Sequence, residues 1–294
     1  MNSNDKGKHL TEKLSIDRLH MPRLKSVKWL SFPYLFWMAG FIIIPLILIV
    51  FYGLTAKEGG LSFENIALIL NQINRKALLL SLELSIISTV ICLLLAYPLA
   101  MILSNAKMKS NSFIVLIIIL PMWMNFLLRT IAWQNILEKT GILNTFLRFL
   151  HLPAVNIINT PAAIILGMVY NFLPFMVLPI YNVLTKIDKN VINAARDLGA
   201  NGRQTFLKII FPLTFPGVVS GITMVFVPSL TTFVISSILG GSKIVLIGNV
   251  IEQQFRLDNW NAGSGLSLVL MIFILFSMAI LSKYDKGNDG GGLW

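Results

Sequence analysis

Long apolar blocks alternate with short polar segments along most of the chain, and each block is long enough to cross about 30 Å of hydrocarbon as a helix. The apolar positions show no period-two alternation, so the pattern excludes membrane-spanning strands and favours helices. We therefore predict an all-α polytopic membrane protein with six transmembrane helices. The predicted spans are residues 30–52, 77–103, 113–133, 161–184, 213–237 and 264–282.

Composition agrees with this pattern. Of the 294 residues, 55% are hydrophobic and 13% are charged, whereas about a quarter of the residues in a soluble globular domain are charged. The single cysteine, Cys92, falls inside a predicted span, which excludes an intramolecular disulfide and a cysteine-based metal site. We interpret Cys92 as a small core residue of a helical protein in the lipid bilayer.

The basic residues are distributed unevenly between the loops. When both termini are counted with alternate loops, sixteen of the 24 Lys and Arg residues fall on one side and eight on the other. The richer side of a membrane protein is cytoplasmic, so we predict that both termini and the polar segment 188–211 face the cytosol. This bias accounts for the formal net charge of +11, and we exclude nucleic acid as a partner.

The polar segment 188–211 lies between two apolar spans and is predicted to fold as a helix–turn–helix. Asp188 can cap the first helix, and Gly199 can end it in the left-handed conformation. Asn201 and Gln204 have the spacing of a capping box that begins the second helix.

Each of these short helices has one apolar face. The predicted apolar positions are Val191, Ala194, Ala195 and Leu198 on the first helix, and Phe206, Ile209 and Ile210 on the second. We expect the second helix to stop at Pro212, which lacks the backbone N–H that an interior helical position needs. The segment 188–211 is therefore a compact knob, and its face of small residues allows close contact with another protein.

The spacing of this segment resembles the EAA loop of ABC-importer permeases. In that pattern Glu-Ala-Ala is followed by three residues and Gly, and then by nine residues, Ile and, one residue later, Leu-Pro. The chain matches it at Ala194, Ala195, Gly199, Ile209 and Pro212. It departs from it at Asn193, where the pattern has Glu, and at Phe211, where the pattern has Leu.

Two further runs, 167–176 and 246–251, are similar to the spermidine/putrescine permeases within this family, and the similarity extends from about Trp29 to Leu281. The resemblance implies the type I ABC-importer permease fold and a polyamine substrate. It also implies separate ABC ATPase subunits, a second homologous permease subunit and an extracytoplasmic substrate-binding protein. The implied location is the inner or plasma membrane of a prokaryote.

The resemblance further implies alternating access, in which ATP-driven closure of the ATPase pair moves the knob and opens the pore. The residues that it assigns to ATPase coupling are Val191, Asn193, Ala194, Ala195, Asp197, Leu198 and Gly199. The chain itself has no phosphate-binding loop, since the run 240–243 lacks the required spacing. We therefore predict a transport subunit that is not an enzyme and that needs neither a metal nor another cofactor.

Two ionisable residues fall within or near the predicted spans. Glu83 lies about 9 Å inside the second span at ~1.5 Å per residue, and Arg129 lies near the end of the third. Charges in the hydrocarbon mark a pathway unless they are paired. Glu83 is thus either the acceptor for a substrate ammonium or one half of a structural ion pair with Arg129.

Aromatic and amide side chains are the other candidates for a substrate path, because aromatic faces hold cations without a fixed opposing charge. With Glu83, the candidate path residues are Trp123, Asn125, Tyr170, Phe172 and Phe233. Two alternatives stay open. One is an ABC permease for another small solute, such as an anion or a metal complex, and the other is an ATP-independent channel or secondary carrier.

The pattern divides the chain into four parts. Residues 1–28 form a basic cytoplasmic segment, and residues 29–52 form a leading transmembrane helix. Residues 77–283 form a five-helix permease core that includes the coupling loop 188–211, and residues 284–294 form a flexible tail.

Overall fold

The computed structural model describes residues 32–56, 59–105 and 120–285. These residues form helices joined by short loops, without a strand, and an isolated antiparallel bridge joins Thr55 and Leu61. In chain order the α-helices are α1 Phe32–Gly53, α2 Glu64–Ala67, α3 Gln72–Asn105, α4 Phe126–Leu137, α5 Ile142–Phe149, α6 Pro161–Leu184, α7 Lys189–Asp197, α8 Gly202–Thr205, α9 Phe211–Thr231, α10 Val234–Leu239, α11 Ile247–Arg256 and α12 Trp260–Asp285.

Among the described residues, five helices are long and apolar enough to cross a membrane. They are α1, α3, α6, the continuous helix Gly202–Thr231 that contains α8 and α9, and α12. Over the residues that the structure describes, four of the predicted spans, 30–52, 77–103, 161–184 and 264–282, coincide with α1, α3, α6 and α12. The long apolar blocks therefore identified these helices correctly.

The third predicted span, 113–133, is interrupted where the structure describes it, and residues 113–119 lie outside the described ranges. A 3₁₀ turn at Leu120–Trp123 precedes α4, which begins only after Asn125. The Asn125 side chain accepts a hydrogen bond from the backbone N–H of Leu127 at 2.8 Å. An asparagine that caps a helix in this way starts a new helix even inside an apolar run.

The fifth predicted span, 213–237, was wrong at its C-terminal end. The helix begins earlier, at Gly202, and it ends at Thr231. Thr232 is extended, with ψ of 134°, and a separate short helix, α10, follows. The residues remain apolar across this break, so hydropathy alone does not reveal it.

The chain divides into two compact units, residues 1–51 and residues 52–294. In the first unit the described element is α1, which contains a π-helical turn at Ala39–Ile43 and a stacked pair of rings, Trp37 and Phe41, with centroids 5.5 Å apart. The second unit contains all the other described elements.

The core of the second unit is formed by α3, α6 and α9, which pack against one another. Buried side chains such as Leu84, Met176 and Val218 fill it. Glycine allows α9 to approach α6 closely, because a Cβ atom on Gly217 would lie 2.9 Å from the Pro179 carbonyl oxygen. Close backbone approach at small residues is typical of helix packing in membranes.

The two ends of this bundle differ. At one end, α7 lies near the C-terminal ends of α3 and α6, and we call this the loop end. At the opposite end, a second apolar cluster joins the start of α3, the end of α9, α11 and α12. There the Ser81 hydroxyl of α3 accepts a hydrogen bond from the Ile247 N–H of α11 at 2.8 Å. The fold thus separates the predicted coupling loop from the broken helices at the far end.

Candidate functional site

The segment 188–211 folds as two short helices, and the first is capped at both ends as predicted. The Asp188 carboxylate accepts a hydrogen bond from the Asn190 N–H at 2.9 Å, which begins α7. Gly199 has a φ of +83°, and the N–H groups of Gly199 and Ala200 donate to carbonyls of the last turn at 2.9 and 3.0 Å. This pair of hydrogen bonds is the Schellman motif, which satisfies the final carbonyls and favours glycine.

The second helix begins with the predicted capping box. The Asn201 side chain accepts a hydrogen bond from the Gln204 N–H at 2.8 Å, and the Gln204 side chain accepts one from the Asn201 N–H at 3.0 Å. The expectation that this helix stops at Pro212 was wrong. A π-helical turn at Phe206–Ile210 leads directly into α9, and the helix continues through Pro212 without a break.

The faces of α7 differ in exposure. Leu198 is 89% exposed and Val191 is 44% exposed, and Ala194 is exposed beside them. Ala195 is 8% exposed and is turned toward the protein, although the sequence pattern placed it on the same stripe. Of the other residues predicted for coupling, the exposed ones are Asn193, Asp197 and Gly199. The structure therefore presents an exposed apolar stripe formed by Val191, Ala194 and Leu198.

The second helix of the loop is anchored on α3 and α9. The rings of Phe206 and Tyr97 meet edge to face, with centroids 5.6 Å apart. The Tyr97 hydroxyl lies 2.6 Å from the Thr214 hydroxyl in a buried hydrogen bond between α3 and α9. Under α7, by contrast, a cavity of about 260 Å³ lies between that helix and the ends of α3 and α6. The loop is thus held firmly through its second helix, with space beneath the first.

Glu83 lies on the exposed side of α3, where its neighbours include exposed apolar residues such as Val90. The hypothesis of a Glu83–Arg129 ion pair was wrong. Within the residues that the structure describes, the one ion pair joins Glu252 and Arg256. A carboxylate that faces lipid costs several kcal/mol, so the side of α3 that carries Glu83 requires water, a cation or another protein against it.

Arg129 is buried in α4 beside two aromatic rings. Its guanidinium carbon lies 5.8 Å from the centre of the Tyr170 ring, and the Tyr170 and Trp133 rings are 5.1 Å apart. Tyr170 and Trp133 also line an apolar groove of about 580 Å³ between α3 and α6. Because a fixed cation already interacts with Tyr170, this ring is a poor place for a second cation.

The other candidate path residues lie in different environments. Trp123 is exposed, and Asn125 is occupied as the cap of α4. Phe172 is 7% exposed and stacks on Phe126 in the core, with centroids 6.5 Å apart. Phe233 lies at the break between α9 and α10 and lines a separate groove of about 710 Å³. The structure therefore does not bring the predicted path residues together in one pocket.

One residue that the sequence analysis missed, Asn249, holds the break between α9 and α10 together. Its side-chain oxygen accepts hydrogen bonds from the Ser236 hydroxyl at 2.6 Å and from the Leu246 N–H at 3.0 Å. Its amide nitrogen donates to the Phe233 carbonyl at 3.1 Å and to the Ser237 hydroxyl at 2.8 Å. Its role could have been suspected from the sequence, because Asn249 is a polar residue in the otherwise apolar run 246–251.

Comparison with known proteins identifies the chain's family. Residues 23–286 match the family described as "Binding-protein-dependent transport system inner membrane component". The chain belongs to this family.

The permease is similar to several curated transport proteins. It is 37% identical to the spermidine/putrescine transport system permease protein PotB of Haemophilus influenzae, over 85% of this chain and 91% of that protein. It is 36% identical to PotB of Escherichia coli strain K12, over 80% and 89% of the two chains. The inner membrane ABC transporter permease protein YdcU of the same strain is 30% identical, over 76% of each chain.

Solved structures support the fold of the permease. A chain of a bacterial ABC transporter involved in the import of the acidic polysaccharide alginate superimposes with a TM-score of 0.73. The match covers 88% of the permease and 98% of that chain, at 16% sequence identity. A structure of the bacterial alginate ABC transporter in complex with an alginate pentasaccharide-bound periplasmic protein matches with a TM-score of 0.72, at 15% identity, over 88% and 95% of the two chains. These structures show the fold, and the family match with the identity to curated permeases makes the chain a membrane subunit of an ABC importer.

The hydrogen bonds of Asn249 predict that its loss destabilises the permease. Asn249→Leu keeps the approximate volume but leaves the Leu246 N–H and the Phe233 carbonyl without this partner, at a cost on the order of 1–3 kcal/mol. We expect a lower midpoint of thermal unfolding for the purified permease in detergent. Gln253→Leu, at an exposed position of the same helix, is the matched control and should leave the midpoint unchanged. An equal midpoint for both variants would show that Asn249 does not support the break.

Proposed function

We propose that the permease forms, together with a second homologous permease subunit, the transmembrane pore of an importer for polyamines such as spermidine and putrescine. Separate ATPase subunits supply the energy, and an extracytoplasmic binding protein delivers the substrate. The observation that carries this proposal is the identity of 36–37% to spermidine/putrescine permeases over about nine-tenths of their length. Family membership alone leaves the solute open, and this identity favours a polyamine.

We propose that the loop 188–211 docks on the ATPase through the exposed stripe of Val191, Ala194 and Leu198. Three features support the proposal. The stripe is apolar and exposed. Because hydrogen bonds within the loop cap both ends of α7, the helix does not need a partner in order to form. Its side chains are small or of medium size, which permits close approach of a partner. The second helix of the loop follows α7 after a short turn and continues into α9 without a break.

Leu198→Asp tests this docking surface. A charge placed in an apolar contact should weaken docking by about 2 kcal/mol or more, which is roughly thirtyfold. We expect loss of substrate uptake in vesicles containing the whole importer, with ATP hydrolysis no longer stimulated by the loaded binding protein. Asn182→Asp makes the same charge change at an exposed position of α6 and should retain both activities. Full coupling in Leu198→Asp would contradict docking through this stripe.

We propose that the loop end faces the cytosol, with both termini on that side and the ion pair of α11 on the other. The excess of basic residues on the loop side supports this orientation. A docking surface for a cytosolic ATPase requires the same orientation. The location that follows is the inner or plasma membrane of a prokaryotic cell.

Single-cysteine labelling tests the orientation. Cys92 is the sole cysteine in the sequence and is buried, so Cys92→Ala provides a background without thiols. On that background we expect Gln253→Cys, but not Asn190→Cys, to react with a membrane-impermeant thiol reagent in intact cells; both positions are exposed. Permeabilised cells provide the control, in which both variants should react. Labelling of residue 190 alone from outside would reverse the proposed orientation.

We propose that Glu83 lies on the substrate path and accepts a substrate ammonium. Its carboxylate is exposed on the side of a spanning helix, and the ion pair that would have given it a structural role is absent from the described residues. A path between two permeases would cover this side of α3 with water and partner surface rather than with lipid. The proposal favours Glu83 over Tyr170, which already interacts with Arg129.

Glu83→Gln keeps the shape of the side chain and removes its charge. If the carboxylate accepts an ammonium, the substrate concentration for half-maximal uptake should rise roughly tenfold. The yield of assembled importer should not change. Glu138→Gln, at an exposed position after α4, is the control and should leave uptake kinetics as they are. Normal kinetics in Glu83→Gln would remove this residue from the path.

A further inference from the structure

A groove of about 710 Å³ lies between the end of α9, α11 and α12, at the end of the bundle opposite the loop end. Its walls are almost entirely apolar. On α12 they are formed by side chains from Ser267 to Leu275, which extend over ~12 Å at ~1.5 Å per residue. The groove therefore has the length of a substantial part of a lipid acyl chain.

One edge of this groove is charged. Glu252 and Arg256 stand one turn apart on α11, line the groove and form an ion pair with each other. The Arg256 side chain is 77% exposed, so most of its guanidinium surface remains open to a further ligand. The groove thus combines an apolar slot with one cation and one anion at its edge, which matches an amphiphile with a zwitterionic head.

Aromatic residues indicate the depth of the charged edge in the membrane. The Trp260 ring, at the start of α12, lies 6.4 Å from the Tyr52 ring and 5.5 Å from the Phe255 ring. Trp and Tyr collect at the boundary between hydrocarbon and water. This cluster therefore places the Glu252–Arg256 pair at headgroup level, and the apolar wall of α12 extends from there into the hydrocarbon.

The groove also opens onto an exposed apolar side of α12. Leu275, at its inner end, is exposed, and so are the neighbouring Ile272 and Phe276 on α12. A polyamine has no anionic group for the exposed Arg256 guanidinium, which would repel its ammonium groups. A phospholipid finds a guanidinium for its phosphate, a carboxylate for a head-group ammonium and an apolar slot for a chain.

We propose that this groove binds a phospholipid with an ethanolamine headgroup. One acyl chain lies along α12, the phosphate contacts Arg256 and the ammonium contacts Glu252. Neither Glu83 nor the docking stripe lines this site, although Phe233, one of the candidate path residues from the sequence, does. The site does not depend on which solute the importer carries.

Photo-crosslinking tests the site in the assembled importer. Vesicles of phosphatidylethanolamine and phosphatidylglycerol receive a trace of phosphatidylethanolamine with a diazirine in one acyl chain, and labelled peptides are mapped after illumination. We expect concentrated labelling of the α12 segment 267–275. Met271→Trp fills the groove and should abolish most of this labelling, whereas Ile272→Trp, on the exposed side beside it, should not.

Variants of Glu252 and Arg256 distinguish specific binding of a headgroup from non-specific contact of lipid with an apolar surface. Arg256→Gln changes an exposed side chain, so folding should be preserved, and labelling at the groove should fall roughly tenfold through loss of a charge-assisted hydrogen bond. Glu252→Gln should remove the preference for labelled phosphatidylethanolamine over phosphatidylglycerol carrying the same diazirine.

Four results would overturn the proposal. Equally strong labelling on the exposed face of α3 around Val90 would show a non-specific surface, and unchanged labelling in both Met271→Trp and Arg256→Gln would show that the groove is not the site. Protection of the groove by spermidine would assign it to the substrate. Labelling of the isolated permease but not of the assembled importer would show that a partner subunit covers the groove.

Discussion

The structure depends on one constraint above all: in hydrocarbon, the backbone N–H and carbonyl groups at every helix end need partners within the protein. Asn125 supplies them where α4 begins, and Asn249 supplies partners to the Phe233 carbonyl before α10 and to the Leu246 N–H before α11. Ser81 does the same for the first N–H of α11. Without these polar side chains the interrupted helices would lose hydrogen-bond partners, most costly at the buried Ile247 N–H, on the order of 1–3 kcal/mol.

The same requirement is met differently at the loop end. There the Asp188 cap, the Schellman turn at Gly199 and the capping box of Asn201 and Gln204 satisfy the helix ends locally. Short helices closed in this way need little support from the bundle, and this explains how α7 can stand over a cavity and still present an ordered apolar stripe. Because of these polar caps, the conformation of the loop depends little on how the spanning helices pack.

The sequence predicted those features that depend on local chemistry. The apolar blocks identified α1, α3, α6 and α12, and capping residues located the helices of the loop. The helix break at Thr231 could not be predicted, because apolar residues continue across it and its partner, Asn249, is distant in the chain. The burial of Ala195 and Phe172 also depends on neighbours from other helices. Side chains that could belong to a substrate path are therefore distinguishable only once packing is known.

The continuity of the helix Gly202–Thr231 has a mechanical consequence. Its 30 residues make a rod of roughly 45 Å, with one end in the loop and the other at the break beside α10. When the helix moves as one body about the loop, a tilt of about 5° displaces its far end by about 4 Å over this length. Displacements of that size are comparable to the width of a methylene chain, so a small rotation delivered at the loop would be amplified to the scale on which a passage for an extended molecule opens or closes.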